Sequence, residues 1–134
     1  MANQESSNAL LARFIRAISE VDLSALVNLS TQDIRISIPG ARDVDLTMKS
    51  TGVDSLCACA KAVHDECGHT TFRLHRYFEN GCEMKAVGEI QIERLPGGFT
   101  SPCSIHLVFE GGLVASFQLL LDTFALERFR GRAD

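Results

Sequence analysis

The segment Ser101–Asp122, SPCSIHLVFEGGLVASFQLLLD, predicts a long β-hairpin that turns at Gly111-Gly112. On both sides of the glycine pair, apolar residues recur at every second position, which is the period of a strand with one buried face. The Gly-Gly pair supplies the positive φ that a tight turn needs. The segment therefore predicts two antiparallel strands whose shared apolar face must be covered by the rest of the chain.

The hairpin has two candidate registers, which differ in what faces Leu107. A strict two-residue turn would place Leu107 opposite the polar Ser116 and Phe109 opposite Val114. A three-residue loop places Leu107 opposite Phe117 and so gathers one apolar face. In that register Phe109 faces Ala115 and Ile105 faces Leu119. We therefore predict the three-residue loop, with a glycine in the left-handed conformation.

The first half of the chain predicts three helices and one strand. Helical spacing of apolar residues predicts a helix over about residues 6–20, and Asp22 can cap a second, short helix. Clean alternation predicts a strand at Gln32–Pro39. A third helix is expected over Gly52–Glu66, capped by Ser50 or Thr51.

The second half predicts only strands. His69–Glu79 and Cys82–Leu95 read as two strands joined at Asn80-Gly81, and Pro96-Gly97-Gly98 turns into the opening hairpin. Helices first and an antiparallel sheet afterwards are typical of an α+β fold. With 134 residues, the chain is expected to form one domain over residues 1–134.

Composition argues against several classes of protein. The net charge of −4 gives no footprint for nucleic acid or for an anionic membrane, and no apolar run is long enough to span a bilayer. The polar start MANQESSN does not resemble a secretory signal. Five cysteines, an odd number, favour reduced thiols. We therefore expect a cytoplasmic protein.

The segment ARFIRAISEVDLSALVNLSTQDIRISIP, residues 12–39, resembles the opening of the ketosteroid isomerases without a gap. With the final hairpin, it is similar to the NTF2-like superfamily, which includes nuclear transport factor 2, scytalone dehydratase and the SnoaL-type polyketide cyclases. The resemblance implies a cone in which N-terminal helices pack into a curved, mostly antiparallel sheet around an apolar cavity. It also implies a homodimer.

The catalytic groups of the isomerase do not carry over. The positions of its helix tyrosine and its general-base aspartate are taken here by Phe14 and Ile38, and that of its second oxyanion donor by Ile105, beside Ser104. Phenylalanine donates no hydrogen bond, and isoleucine takes no proton. We therefore expect no steroid isomerase activity.

In the family that the chain resembles, alternate residues of each strand point into the cavity. This pattern, the family's strand parity, predicts the residues that line the cavity here. Small residues among them would leave volume, and an apolar cavity with few polar groups is the usual form of a small-molecule site. The alternative is that larger side chains fill the cone. The expected ligand-binding residues are Phe14, Ile38, Ala86, Gly88, Ile90, Leu107, Phe109, Phe117 and Leu119, with Leu121 beside them.

The strand Thr71–Phe78, TFRLHRYF, holds the candidate catalytic residues. Family parity points Arg73, His75 and Tyr77 inward, where they could fix a carboxylate, phenolate or enolate. Hydrophobic alternation instead points Phe72, Leu74 and Phe78 inward. In that arrangement Arg73, His75 and Tyr77 would lie at a dimer face or at the rim of the cone.

Three functions remain open. The first is binding of a small, mostly apolar molecule in the cone. The second is a SnoaL-like isomerase, cyclase or dehydratase that uses His75 with Arg73 or Tyr77, and the third is a protein-interaction module with a closed cone.

We expect no cofactor, since no phosphate loop or dinucleotide fingerprint is present. We also expect no metal, since His64 and His69 are five residues apart across a glycine. Val108, Val114 and Leu120 are expected on the opposite sheet face, suited to a homodimer.

Overall fold

The computed structural model describes residues 6–38, 48–93 and 98–122. Within these ranges the chain forms three helices and a six-stranded sheet. In chain order the elements are α1 (Ser7–Glu20), α2 (Leu23–Leu29), β1 (Ser30–Ile38), β2 (Met48–Thr51), α3 (Val53–Cys67), β3 (Thr70–Asn80), β4 (Glu83–Ile92), β5 (Phe99–Glu110) and β6 (Leu113–Leu121). The α+β prediction is confirmed.

The two N-terminal helices form where the sequence predicts them. The hydroxyl of Ser6 accepts a hydrogen bond from the amide of Ala9 at 3.2 Å and so caps α1. Val21, with φ of 52°, ends the helix in the left-handed conformation. The carboxylate of Asp22 then accepts from the amide of Ala25 at 3.2 Å and starts α2. This sharp reversal packs the two helices against each other.

The sheet has the strand order β2-β1-β6-β5-β4-β3. Among the strands that the structure describes, β1 and β6 run parallel, and every other neighbouring pair is antiparallel. The edge strand β2 was not predicted, because its four residues, MKST, show no apolar alternation. Most of the loop that was expected before it lies outside the described residues.

The start of α3 differs from the prediction. Gly52 occupies the N-cap with φ of 102°, and no side chain of the described residues makes the cap hydrogen bond there. Ser50 and Thr51 instead belong to β2, so neither takes the predicted capping role. At the other end Gly68 caps the helix, and its amide donates to the carbonyl of His64 at 2.8 Å.

The central hairpin combines both candidate registers. Ile105 faces Leu119 and Leu107 faces Phe117, so the predicted apolar face is confirmed along the body of the hairpin. At its tip, Gly111 and Gly112 form a two-residue turn with φ of 58° and 82°. A shift of register after Val108 reconciles the two, as a β-bulge does.

The bulge also corrects one residue of the outer face. Val114 pairs with Phe109 and is fully buried, so it does not lie on the sheet face that points away from the core. The prediction that Val114 belongs to the outer face with Val108 and Leu120 is therefore wrong. The extra residue in β6 reverses the alternation at that position.

The core lies between the helices and one face of the sheet. The rings of Phe14 on α1 and Phe117 on β6 meet edge to face, with centroids 5.3 Å apart. Leu26 of α2 and Leu56 of α3 join the same buried cluster. None of the helices in the described ranges is long and apolar enough to cross a lipid bilayer.

Candidate functional site

A β-bulge at His75 determines which side chains of β3 face the core. Leu74 pairs with Gly88 of β4, but the next pair along is Arg76 with Val87, so His75 is an extra residue in β3. Side chains alternate between the two faces of a strand, and one extra residue reverses that alternation. The two parts of β3 on either side of His75 therefore follow opposite parities.

The inner face of β3 carries Phe72, Leu74 and Tyr77. Phe72 lies opposite the buried Ile90, and after the bulge Tyr77 lies opposite the fully buried Ala86. Hydrophobic alternation therefore predicted Phe72 and Leu74 correctly, while family parity predicted Tyr77 correctly. Neither pattern alone describes the strand, because neither contains the bulge.

The outer face of β3 carries Arg73, His75 and Phe78. Arg73 lies opposite the exposed Glu89, and the Nε2 atom of His75 lies 3.9 Å from Oε1 of the same glutamate. Phe78 lies opposite the exposed Lys85 and is 53% exposed, so the inward orientation predicted for it is wrong. Arg73 and His75 thus share one face, and Tyr77 lies on the other.

The space beside the α-carbon of Gly88 is filled by the backbone of β3. A β-carbon at this position would overlap the carbonyl of Arg73 and the α-carbon of Leu74. The backbone of the bulged strand therefore occupies the space that a side chain would need. Glycine in a strand commonly marks this kind of close backbone approach.

The other residues expected to bind a ligand form the core itself. Their side chains pack against one another between the helices and the sheet, and binding of a ligand among them stays a prediction. Phe109 is partly buried at the edge of the same cluster. The fully packed members are Phe14, Ile38, Ala86, Ile90, Leu107, Phe117 and Leu119, all at most 7% exposed.

An open cleft of about 320 Å³ lies between α1 and the edge strand β3. Ile15 of α1 and the inward side chains Phe72 and Leu74 of β3 line it and belong to the core or pack against it. Tyr77 lines the same cleft and is 47% exposed. The cleft therefore joins apolar side chains to an aromatic ring that water can reach.

Polar groups in this cleft come from both elements. The Nε atom of Arg16 donates to Oε2 of Glu20 at 3.0 Å, one helical turn apart on α1. The hydroxyl of Tyr77 donates to the carbonyl of Leu74 at 3.4 Å, which is long for such a bond. Sequence reasoning missed Arg16 as a site residue, although its spacing to Glu20 is that of an i,i+4 ion pair.

A second depression, of about 650 Å³, lies on the outer face of the sheet. Val87, Ser104 and Leu120 line it from three neighbouring strands, and His75 and Arg76 line it from β3. It is a broad concavity of an open sheet face. The cleft between α1 and β3, by contrast, has a helix on one side and a strand on the other.

The cysteine beside this depression is a poor nucleophile. Burial raises the pKa of Cys103 to about 11, and the nearby charge of Glu89 adds to the effect. A thiol is reactive only as the thiolate, so Cys103 stays protonated and inert near neutral pH. Within residues 6–38, 48–93 and 98–122, no three His, Cys, Asp or Glu side chains are grouped to hold a metal ion.

No protein-family model matches the chain, and no curated protein matches its sequence at a significant level. Solved structures do match its fold. An NTF2-like protein of unknown function from Burkholderia pseudomallei is 19% identical, with a TM-score of 0.80 over 96% of this chain and 98% of its own. TerC, co-crystallised with polyporic acid, is 14% identical, with a TM-score of 0.81 over 92% of this chain and 96% of its own.

A third structure is a proposed SnoaL-like polyketide cyclase from Shewanella putrefaciens. It is 15% identical, with a TM-score of 0.75 over 98% of this chain and 88% of its own. At these identities the similarity shows a shared fold, and function must be argued from the site.

Proposed function

We propose that this chain, which has the NTF2-like fold, binds a small, mostly apolar molecule without transforming it. The observation that carries the proposal is the cleft between α1 and β3, where Ile15, Phe72 and Leu74 give an apolar lining. Polar side chains, among them Arg16, Glu20 and His69, line the same cleft. A concave site that joins apolar side chains to convergent polar groups is a usual form of a small-molecule site. The ligand would cover these side chains and the exposed ring of Tyr77.

Two variants test this site by filling it or leaving it open. Ser19→Trp places an indole at the cleft, which Ser19 lines, and Ser24→Trp places one on the exposed surface of α2. Native mass spectrometry of freshly purified protein should show a small mass excess that denaturation removes. We expect the excess in the unaltered protein and in Ser24→Trp, and its loss in Ser19→Trp.

Two results would contradict the proposal. One is a mass excess that Ser19→Trp retains. The other is a clean mass together with unchanged tyrosine fluorescence when 1-octanol is added. Tyr77 is the single tyrosine of a chain without tryptophan, so its emission reports on this cleft alone.

A SnoaL-like isomerase, cyclase or dehydratase is the second candidate function. It is favoured by His75, which lines the outer depression beside Arg76. Arg73 lies on the same face, whereas Tyr77 lies on the opposite one. His75 with Arg73 is therefore the pair on which such an enzyme would rely.

We also propose that the outer face of the sheet binds a second copy of this chain. Phe78 and Leu120 are 53% and 42% exposed there. Val87, which lines the depression on this face, pairs with Arg76, two positions along the strands from the pair of Phe78 with Lys85. An exposed aromatic next to an apolar concavity makes one face self-complementary, as a two-fold dimer requires.

A cytoplasmic location is part of the proposal. Cys57, Cys59, Cys82 and Cys103 are all free thiols. Free thiols persist in reducing compartments, and disulfides are typical of oxidising ones.

A further inference from the structure

We infer that the ligand of the cleft between α1 and β3 is an amphipathic carboxylate, and that Arg16 with Tyr77 binds its anionic head. This inference rests on the proposed binding function and names the chemical class of the ligand. An apolar body would lie over Ile15, Phe72 and Leu74, and the carboxylate would face the solvent-exposed side of the cleft.

The donors of Arg16 are only partly used. Its Nε atom donates to Glu20 at 3.0 Å, and no other partner of this guanidinium occurs within the described residues. The terminal amino groups therefore remain as donors, in the planar arrangement that matches a carboxylate. Glu20 contacts the Nε atom alone, so this exposed ion pair leaves these donors unused.

The hydroxyl of Tyr77 provides a second donor. Its bond to the carbonyl of Leu74 is 3.4 Å long, at the weak end of hydrogen bonding, and the residue is half exposed. A carboxylate oxygen accepts a shorter, charge-assisted bond than this carbonyl does. The proton of Tyr77 can turn to the ligand at little cost.

A cationic head would fit the cleft less well. Among the described residues, Glu20 is the one acidic side chain that lines the cleft, and it already forms an ion pair with Arg16. An ammonium group would have to share this carboxylate and would lie beside the guanidinium. A carboxylate would instead gain unused donors from both walls.

Matched ligands separate the head group from the apolar body. We would titrate the protein with octanoate and with 1-octanol and follow the emission of Tyr77, the only tyrosine. Octanoate should bind about fivefold more tightly than 1-octanol, since an exposed ionic contact adds a modest free energy. Arg16→Gln should remove this preference, and an unchanged far-UV circular dichroism spectrum checks that the variant is folded.

Lys61→Gln serves as the control, because it removes the same charge from the exposed surface of α3, outside the cleft. It should keep the full preference for octanoate. Equal binding of octanoate and 1-octanol, or a preference that Arg16→Gln retains, would overturn the inference and leave the binding function standing. If neither compound changes the emission of Tyr77, the proposed function fails as well.

Discussion

The carbonyl of Arg73 occupies the place where a side chain on Gly88 would begin. Gly88→Ala should therefore destabilise the fold by about 3 kcal/mol, because the new methyl group meets backbone that cannot rotate away. Urea denaturation measures this loss as a lower midpoint.

Gly111→Ala is the matched control for this substitution. Gly111 has φ of 58°, and no atom of the described residues, apart from its own chain neighbours, lies within 4 Å of the place where its β-carbon would be, so alanine meets only the conformational cost of about 1 kcal/mol there. If both variants lost the same free energy of unfolding, the backbone of β3 would not be in close contact with Gly88.

The buried cysteines should resist alkylation while the protein is folded. Burial raises the pKa of Cys59 and that of Cys103 to about 11, from an ordinary value of 9.0. At pH 8 this lowers the thiolate fraction roughly a hundredfold, and the thiolate is the species that reacts with iodoacetamide.

Peptide mapping after labelling checks this order. Cys82, exposed at the turn between β3 and β4, should be alkylated in the folded protein, and the two buried thiols only after addition of urea. Comparable labelling of Cys103 and Cys82 without urea would show that the strand around Cys103 opens readily.

The outer sheet face should control dimerisation. Phe78→Lys places a charge in the proposed contact between two copies, so sedimentation velocity should show a monomer. Val27→Lys alters an equally exposed apolar residue, 48% against 53%, but on α2 and away from the sheet. This variant should remain a dimer. If both variants dissociate, or if neither does, the outer sheet face is not the dimer interface.

His75→Ala should leave binding in the cleft unchanged, because His75 faces the opposite side of β3 from Tyr77. The test is the affinity for 1-octanol, read from the emission of Tyr77. A loss of binding greater than about tenfold would place His75 in the ligand site and would favour the enzymatic alternative.

The fold followed from the sequence because its decisive patterns are local. Alternation around Gly111-Gly112 predicts the hairpin, and the apolar pairing of Leu107 with Phe117 selects the register of its body. The strand β2 was missed because pairing with β1, rather than its own residues, makes it a strand. Its presence in turn gives the N-cap of α3 to Gly52.

The site was predicted less well because two β-bulges reverse the alternation of side chains between the two faces of a strand. The prediction of which residues face the core depended on that alternation. One turns Val114 into the core, and the other puts His75 and Tyr77 on different faces. Gly88 was the available signal, since a glycine within a strand indicates a bulge or a close approach. It was interpreted as spare volume in the cone, and the cleft beside α1 was therefore not anticipated.

We propose that the ligand lies between α1 and β3. The most direct test is an amide ¹H–¹⁵N correlation spectrum recorded as 1-octanol is added. We predict that the largest shifts fall on the amides of residues 12–20 and 70–77. Largest shifts at Leu107 and Phe117 would put the ligand inside the cone, and largest shifts at Val87 and Leu120 would put it on the outer face. Either result would show that the ligand does not bind between α1 and β3.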